Sequence, residues 1–307
     1  MGHTRSIRNG SAGVVSATAA LVLLALVSAA PAQATFPGSN GSIAFESTRD
    51  GNVEIYVMNS DGDDETRLTN NSVDDRQPAW SPNAKRIAYA HRTHNGGLDI
   101  FVMRADGSHR RRLTRNPAED QNPAWSPGGD RIVFQSERKG NDDIFVVDDK
   151  GIHVTQLTST SRDDQDPAWN PSNLYIVFER ILSGENDEIF RMWPNGSHVV
   201  RLTHEAGGDI QPGFAPAGGK VAFASERDNP FDIFTMFDAG GSQNALITSG
   251  FGEFRPAWSP DGLSILFSST QGTANSDIFQ MAANGSGFPL AMTSDPAFDG
   301  GADWAPG

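Results

Sequence analysis

One hexapeptide recurs in this chain with two prolines bracketing a tryptophan: QPAWSP at 77–82, NPAWSP at 122–127 and RPAWSP at 255–260. Aligned on its aromatic residue, the string returns at Trp80, Trp125, Trp169, Phe214, Trp258 and Trp304, spaced by 44 to 46 residues. A period of about 45 residues is the size of a four-stranded propeller blade. Other positions keep the same phase. Seven residues after the aromatic comes an apolar triplet: Ile87-Ala88-Tyr89, Ile132-Val133-Phe134, Ile176-Val177-Phe178, Val221-Ala222-Phe223 and Ile265-Leu266-Phe267, with a further copy at Ile43-Ala44-Phe45. An acidic residue before an apolar pair follows, as in Glu54-Ile55-Tyr56, Asp99-Ile100-Phe101 and Asp143-Ile144-Phe145. A turn glycine (Gly62, Gly107, Gly151, Gly196, Gly241, Gly285) then leads to a strand ending at Thr69, Thr114, Thr158, Thr203, Thr248 or Thr293.

The triplets are continuous rather than alternating, as expected of strands covered on both faces. Asp-Gly and Asn-Gly pairs supply the positive φ of tight hairpins. Proline lacks an N–H and is confined to strand ends, so the tryptophan string marks the innermost strand of each blade. The predicted fold is all-β, a six-bladed propeller of four-stranded blades. The first triplet lacks a tryptophan strand and the C-terminus carries a spare, Ala302-Asp303-Trp304. Pairing the strand around Trp304 with the N-terminal strands completes one blade and leaves no free edge at the seam. Phe36, seven residues before Ile43, competes for that place.

The first 34 residues differ in kind. Arg5 and Arg8 precede the apolar run AALVLLALV at 19–27 and the small-residue site Ala32-Gln33-Ala34. That order is a secretory signal peptide cut before Thr35, and the run is too short for a membrane span of about 20 residues. The expected organisation is a leader at 1–34 and a propeller at 35–307, located outside the cell or in the periplasm and envelope. No cysteine occurs, which removes disulfides, lipid-attachment thiols and thiolate chemistry. The net charge of −14 repels phosphate backbones and anionic headgroups, which argues against nucleic acid and membrane surfaces as partners.

The aligned elements P-A-W-S-P, I-A-F, D-I-F, D-G and L-T resemble the TolB-type β-propeller repeat of bacterial envelope and secreted proteins. The resemblance covers roughly residues 36 to 306. Members with a role in the Tol–Pal system carry an α/β domain ahead of the propeller. Residues 35–42 leave no room for one, so no such role is expected. Some serine peptidases also carry this propeller, but no G-x-S-x-G nucleophile elbow is present.

Five residues before each aromatic stands a carboxylate: Asp75, Asp120, Asp164, Asp209, Glu253 and Asp299. These are expected at one mouth of the axial channel. There they either cap their own loops or attract a cation, and carboxylate oxygens suit calcium or magnesium. Arg49, Arg138 and Arg227, in alternate blades, either pair with these carboxylates or form a cluster for an anion. His109, His153 and His198 follow turn glycines and are expected on the rim, too far apart for one metal, and His91 and His94 share a loop without a third ligand. Asn195-Gly196-Ser197 and Asn284-Gly285-Ser286 match a glycosylation sequon and read as hairpin turns. Phe251, Phe254, Phe298 and Pro230-Phe231 depart from the repeat. The sequence therefore predicts a monomeric, non-enzymatic binding propeller that recognises a protein, peptide or glycan at its loop face, requires no cofactor and leaves room for a calcium ion. A glycoside hydrolase or lyase using two ring carboxylates is the alternative.

Overall fold

The computed structural model describes residues 36–94, 96–182, 186–271 and 275–307. The expected leader lies outside them. Six four-stranded antiparallel sheets form a closed ring, a six-bladed β-propeller, with no helix among the described residues. The inner strands are Asp75–Trp80, Asp120–Trp125, Asp164–Trp169, Asp209–Phe214, Glu253–Trp258 and, at the seam, Asp299–Pro306. We number the seam blade 1 and the others 2 to 6 in chain order.

Each blade is a meander from the axis outward. The triplets lie in second strands such as Arg131–Ser136, whose Ile132, Val133 and Phe134 are fully buried because neighbouring blades cover both faces. Closure is as the repeat count predicts: the C-terminal strand pairs with Asn40–Ser47, setting Trp304 opposite Ile43 and Asp299 opposite Ser47. Phe36 does not take that place and is buried in a cluster with Ala79 and Trp125 of blades 2 and 3.

Tryptophans also join the blades. Trp125 Nε1 donates to Ala79 O of the preceding blade at 3.1 Å, and the Arg86 guanidinium lies 4.5 Å from the Trp125 ring centre. The serine after the tryptophan closes the turn, as where Ser126 Oγ accepts the Arg131 N–H at 3.1 Å. Conserved phase therefore has a bonding reason at each step. The repeat threonines lie just beyond two- or three-residue outer strands, and Thr69, Thr114, Thr158, Thr203 and Thr293 accept the N–H of the third-strand isoleucine at 2.8 to 3.0 Å.

Blade 5 departs by one residue. Gly240, with φ of 89°, makes its turn rather than Gly241, and Ile247 holds the threonine position, because Ile247 N reaches Ile233 O. Thr248 is exposed. The Gly-Gly pair hid the shift, since either glycine satisfies the pattern.

Candidate functional site: a clamped carboxylate ring around a polar hub

The six predicted carboxylates are the first residues of their inner strands, and all are fully buried. Strand register sets each against the second strand of its own blade, where a partner waits. Arg138 Nη2 donates to Asp120 at 2.6 Å, Arg180 to both oxygens of Asp164 at 2.5 and 2.8 Å, and Arg227 to both oxygens of Asp209 at 2.9 Å. Arg49 reaches Asp299 at 2.8 Å, and His91 Nδ1 lies 2.5 Å from Asp75. The four guanidinium groups also lie 4.5 to 4.9 Å from the ring centres of Tyr56, Phe145, Phe190 and Phe234. The aromatic of the D-I-F motif is thus the platform for a cation.

This arrangement differs from the open acidic ring that the sequence suggested for a shared ion. Four of the carboxylates turn to a guanidinium held on an aromatic face of their own blade, Asp75 to His91 and Glu253 to hydroxyls, because a buried carboxylate needs a partner. Among the described residues, no three His, Cys, Asp or Glu groups are placed to hold a metal ion. Arg49, Arg138 and Arg227 do not cluster for an anion, since each serves its own blade. His109 and His198 stay in separate exposed turns, and His153 bonds Asp148 at 2.6 Å. Asn195 and Asn284 accept the N–H of Ser197 and Ser286, which confirms both as turns.

Blade 6 has no arginine in the clamp. Glu253 accepts the Ser249 hydroxyl and a 3.4 Å bond from Ser269, and shares a hydrogen bond with Asp232. Burial pushes Glu253 up to about 7, and Asp232 rises with it. The folded protein holds this proton between about pH 4.5 and 7, where an unfolded chain has released it. Stability therefore falls as pH rises through that window. The variant Glu253→Gln is expected to lose less stability than the wild type between pH 5 and pH 8, by ~1–3 kcal/mol or several degrees in Tm, read by thermal unfolding at both pH values.

The hub itself was not foreseen. Three residues before each aromatic the inner strand adopts a left-handed bulge: Gln77, Asn122, Asp166, Gln211, Arg255 and Gly301 have φ between 49° and 59°. Five of the six are not glycine, a backbone cost of about 1 kcal/mol or more apiece. Each bulge turns its N–H toward the preceding blade, where a side chain accepts it. Gln77 N donates to Glu46, Asn122 N to Gln77, Asp166 N to Gln135, Gln211 N to Glu179, Arg255 N to Gln211 and Gly301 N to Ser268, at 2.8 to 3.3 Å. Six hydrogen bonds thereby stitch six blades around the axis.

A signal for this ring exists in the sequence. The acceptor is the residue after the triplet where that residue is polar (Glu46, Gln135, Glu179, Ser268). Where it is alanine (Ala90, Ala224), the bulge residue of the same blade is glutamine, Gln77 or Gln211. The hub side chains are buried. Arg255 Nη1 stands 3.8 Å from Glu46, and Asn122 bonds Asp166. Burial raises Glu46, Asp166 and Glu179, with Asp166 up to about 7, and lowers Arg255. Asp303, which stands where four other blades have alanine and blade 5 has Gly213, accepts the Trp80 N–H at 2.6 Å and is pushed by burial up to about 8.

Above the hub, the loop face has two unlike sides. Blades 2 to 4 present Asp74, Glu119 and Asp163, with Asp142 accepting from Gln165 at 2.7 Å and raised by burial to about 6. Blades 5, 6 and 1 present phenylalanines. Phe231 and Phe254 rings are 5.1 Å apart, Phe298 lies 5.8 Å from the Arg255 guanidinium, and Phe251 is exposed. Glycine makes room for two of these rings: a Cβ on Gly252 or Gly300 would stand 2.7 Å from Phe254 or Phe298.

Among solved structures, this ring is similar to TolB from Acinetobacter baumannii, with a TM-score of 0.75 and 21% identity over 89% of this chain and 68% of the other. It is also similar to hydrazine synthase from Kuenenia stuttgartiensis (0.73, 15%, covering 88% and 48%) and to a chain of the nidogen/laminin complex (0.66, 13%, covering 86% and 98%). At these identities the likeness is one of fold, which hosts unrelated functions. A curated relative, the Tol-Pal system protein TolB of Geobacter sulfurreducens, is 47% identical over 47 residues, spanning 15% of this chain and 11% of that protein. The description "TolB beta propeller domain" matches residues 75–151 and 116–293, together more than half of the chain. With the P-A-W-S-P strands, the clamps and the ring closure all in phase, the chain belongs to the TolB β-propeller family.

Proposed function

We propose that this chain is a non-enzymatic binding propeller of the cell envelope or exterior, which holds a protein or peptide partner on its loop face over the hub. One observation carries this reading: the phenylalanine side of the mouth. Phe231, Phe254 and Phe298 occupy positions that the repeat does not require, and two glycines are spent to seat the rings. Aromatic anchors beside charged and hydrogen-bonding groups are the usual composition of a protein-recognition patch. The partner this mouth fits offers an apolar side chain to the phenylalanines and a basic group to Asp163, Asp74 and Glu119 being already paired with Arg76 and Arg92.

The ring carboxylates favour a binder over a hydrolase. Four are engaged by an arginine and Asp75 by His91 in their own blades, and Glu253 is engaged by hydroxyls and Asp232, so an acid–base pair drawn from them would first have to break a clamp.

Phage selection of peptides on the immobilised protein tests the reading, with Phe254→Ser plus Phe231→Ser as the comparison. The expected result is a convergent peptide set, rich in basic and apolar residues, whose binding weakens at least about tenfold on the variant. A selected set indifferent to both substitutions, or convergent binding to a glycan array alone, would overturn it.

A further inference from the structure

The opposite face, built from the turns after each inner and each third strand, carries an unusual distribution of side chains. Ile152, Leu174, Trp193, Phe237, Leu263 and Phe288 are all exposed there, Leu263 at 71% and Phe288 at 96%. All six belong to blades 3 to 6. Exposed large apolar side chains concentrated on one face mark an interaction site. The other large exposed hydrophobic residues among those described are Val154, Val199, Val200 and Leu290, in or beside outer strands at the rim of blades 3, 4 and 6, and Phe251 on the loop face.

Blades 1 and 2 are charged instead, and oppositely. The turn at 59–67 of blade 1 carries Asp61, Asp63, Asp64 and Glu65 against Arg67, a net −3. The equivalent turn at 104–112 of blade 2 carries Arg104, Arg110 and Arg111 against Asp106, a net +2, while Arg112 is drawn back to the buried Asp99 at 2.6 Å. These two turns are neighbours on the ring, because blades 1 and 2 pack against each other through strands Asn40–Ser47 and Asp75–Trp80. The remaining turns carry between −1 and +1 each.

We propose that this face binds a second copy of the chain, forming a face-to-face dimer about a two-fold axis lying in the plane of the ring. In a six-sector ring, an in-plane axis passing between blades 1 and 2 also passes between blades 4 and 5. It sets blade 1 on blade 2 of the second copy, blade 3 on blade 6, and blade 4 on blade 5. The acidic turn then meets the basic turn twice, once in each direction. In the turns after the third strands, at one distance from the hub, Ile152 of blade 3 meets Phe288 of blade 6 and Trp193 of blade 4 meets Phe237 of blade 5. An isologous interface needs a self-complementary patch, and this face satisfies that requirement in charge and in apolarity about the same axis.

A partner of another sequence would need only a complementary surface of its own and would not account for opposite charge in adjacent blades. The overall net charge of −14 does not oppose the pairing, since interactions between exposed charges are screened beyond about 8 Å at physiological ionic strength. The basic turn is also held in place. Arg110 donates to Leu68 O of blade 1 at 2.7 Å, and Arg111 donates to Lys150 O of blade 3 at 2.8 Å.

Sedimentation equilibrium of the purified protein over a wide concentration range tests the dimer directly. Two charge variants are compared with it, Asp61→Lys plus Asp63→Lys and Arg104→Glu plus Arg110→Glu. Each sets like charge against like charge in its own homodimer, and each is expected to weaken association by about tenfold or more. Mixing the two variants restores opposite charges at both contacts and is expected to recover a heterodimer, an outcome that loss of folding could not produce. Phe288→Asp, at an exposed site, is expected to abolish the dimer while leaving the Tm of the dilute monomer unchanged. A wild type that stays monomeric throughout, or a dimer unaffected by both charge variants, overturns the proposal. Neither result bears on the loop face, whose peptide binding is read separately.

Discussion

Removal of residues 299–307 is expected to abolish cooperative folding, although only the last nine residues are lost. Those residues are the inner strand of blade 1, and they hold more than one strand's worth of contacts. The strand pairs with Asn40–Ser47 from Asn40 opposite Pro306 to Ser47 opposite Asp299, buries Trp304, and brings Gly301 N to Ser268 of blade 6. Without it, blades 6 and 2 each lose a neighbour, and the three strands left in blade 1 expose an unpaired edge. The ring is a single cooperative object, because every blade's core faces are its neighbours. Circular dichroism and calorimetry of the truncated protein should show no sharp transition. Trp304→Ala, a milder form of the same lesion, should cost about 3–5 kcal/mol. A truncated chain that unfolds in one sharp step near the wild-type temperature would mean that the seam does not hold the ring closed.

Arg255→Met is the second large effect expected. The guanidinium is buried at the axis beside Glu46 and in the field of Asp166, with Glu179 close to Asp166. Removing it leaves these acids in a low-dielectric hub without their cation, a loss of about 3–5 kcal/mol. The sign of the pH dependence follows. Each acid already binds its proton more tightly in the folded state than in the unfolded one, and losing the arginine raises that preference. The variant should therefore lose stability more steeply than the wild type as pH rises from 5 to 8. Adding Glu46→Gln to Arg255→Met should recover part of the loss, since one of the stranded charges is then gone. Urea unfolding of the wild type, single and double variants at both pH values measures all of this. Equal stability of the single and double variants would show that Glu46 is not a stranded charge once Arg255 is gone.

These two expectations divide the molecule into what repetition reveals and what it hides. The fold was legible because a period of about 45 residues leaves few options, and a missing tryptophan strand at one end with a spare at the other implies closure. The clamped carboxylates were legible as positions but not as a state. The sequence shows Asp120 and Arg138 eighteen residues apart, and only strand register decides that they meet inside one blade rather than at the axis. Blade 5 shows the opposite failure, where Gly240-Gly241 permitted a shift that only the observed hydrogen bonds resolve. The hub was missed because its members vary. Gln77, Asn122, Asp166, Gln211, Arg255 and Gly301 share no side-chain chemistry, and what unites them is a left-handed backbone.

The chain's own residues determined the number of blades, the strand order and the site of closure. These follow from local rules of hydrophobic phase, turn chemistry and proline placement that hold in each copy separately. Tertiary structure alone decided which polar groups face one another. Six copies bent into a ring bring residues more than two hundred positions apart within hydrogen-bond reach, as with Trp80 and Asp303, and the cost of burying a charge then selects the partner.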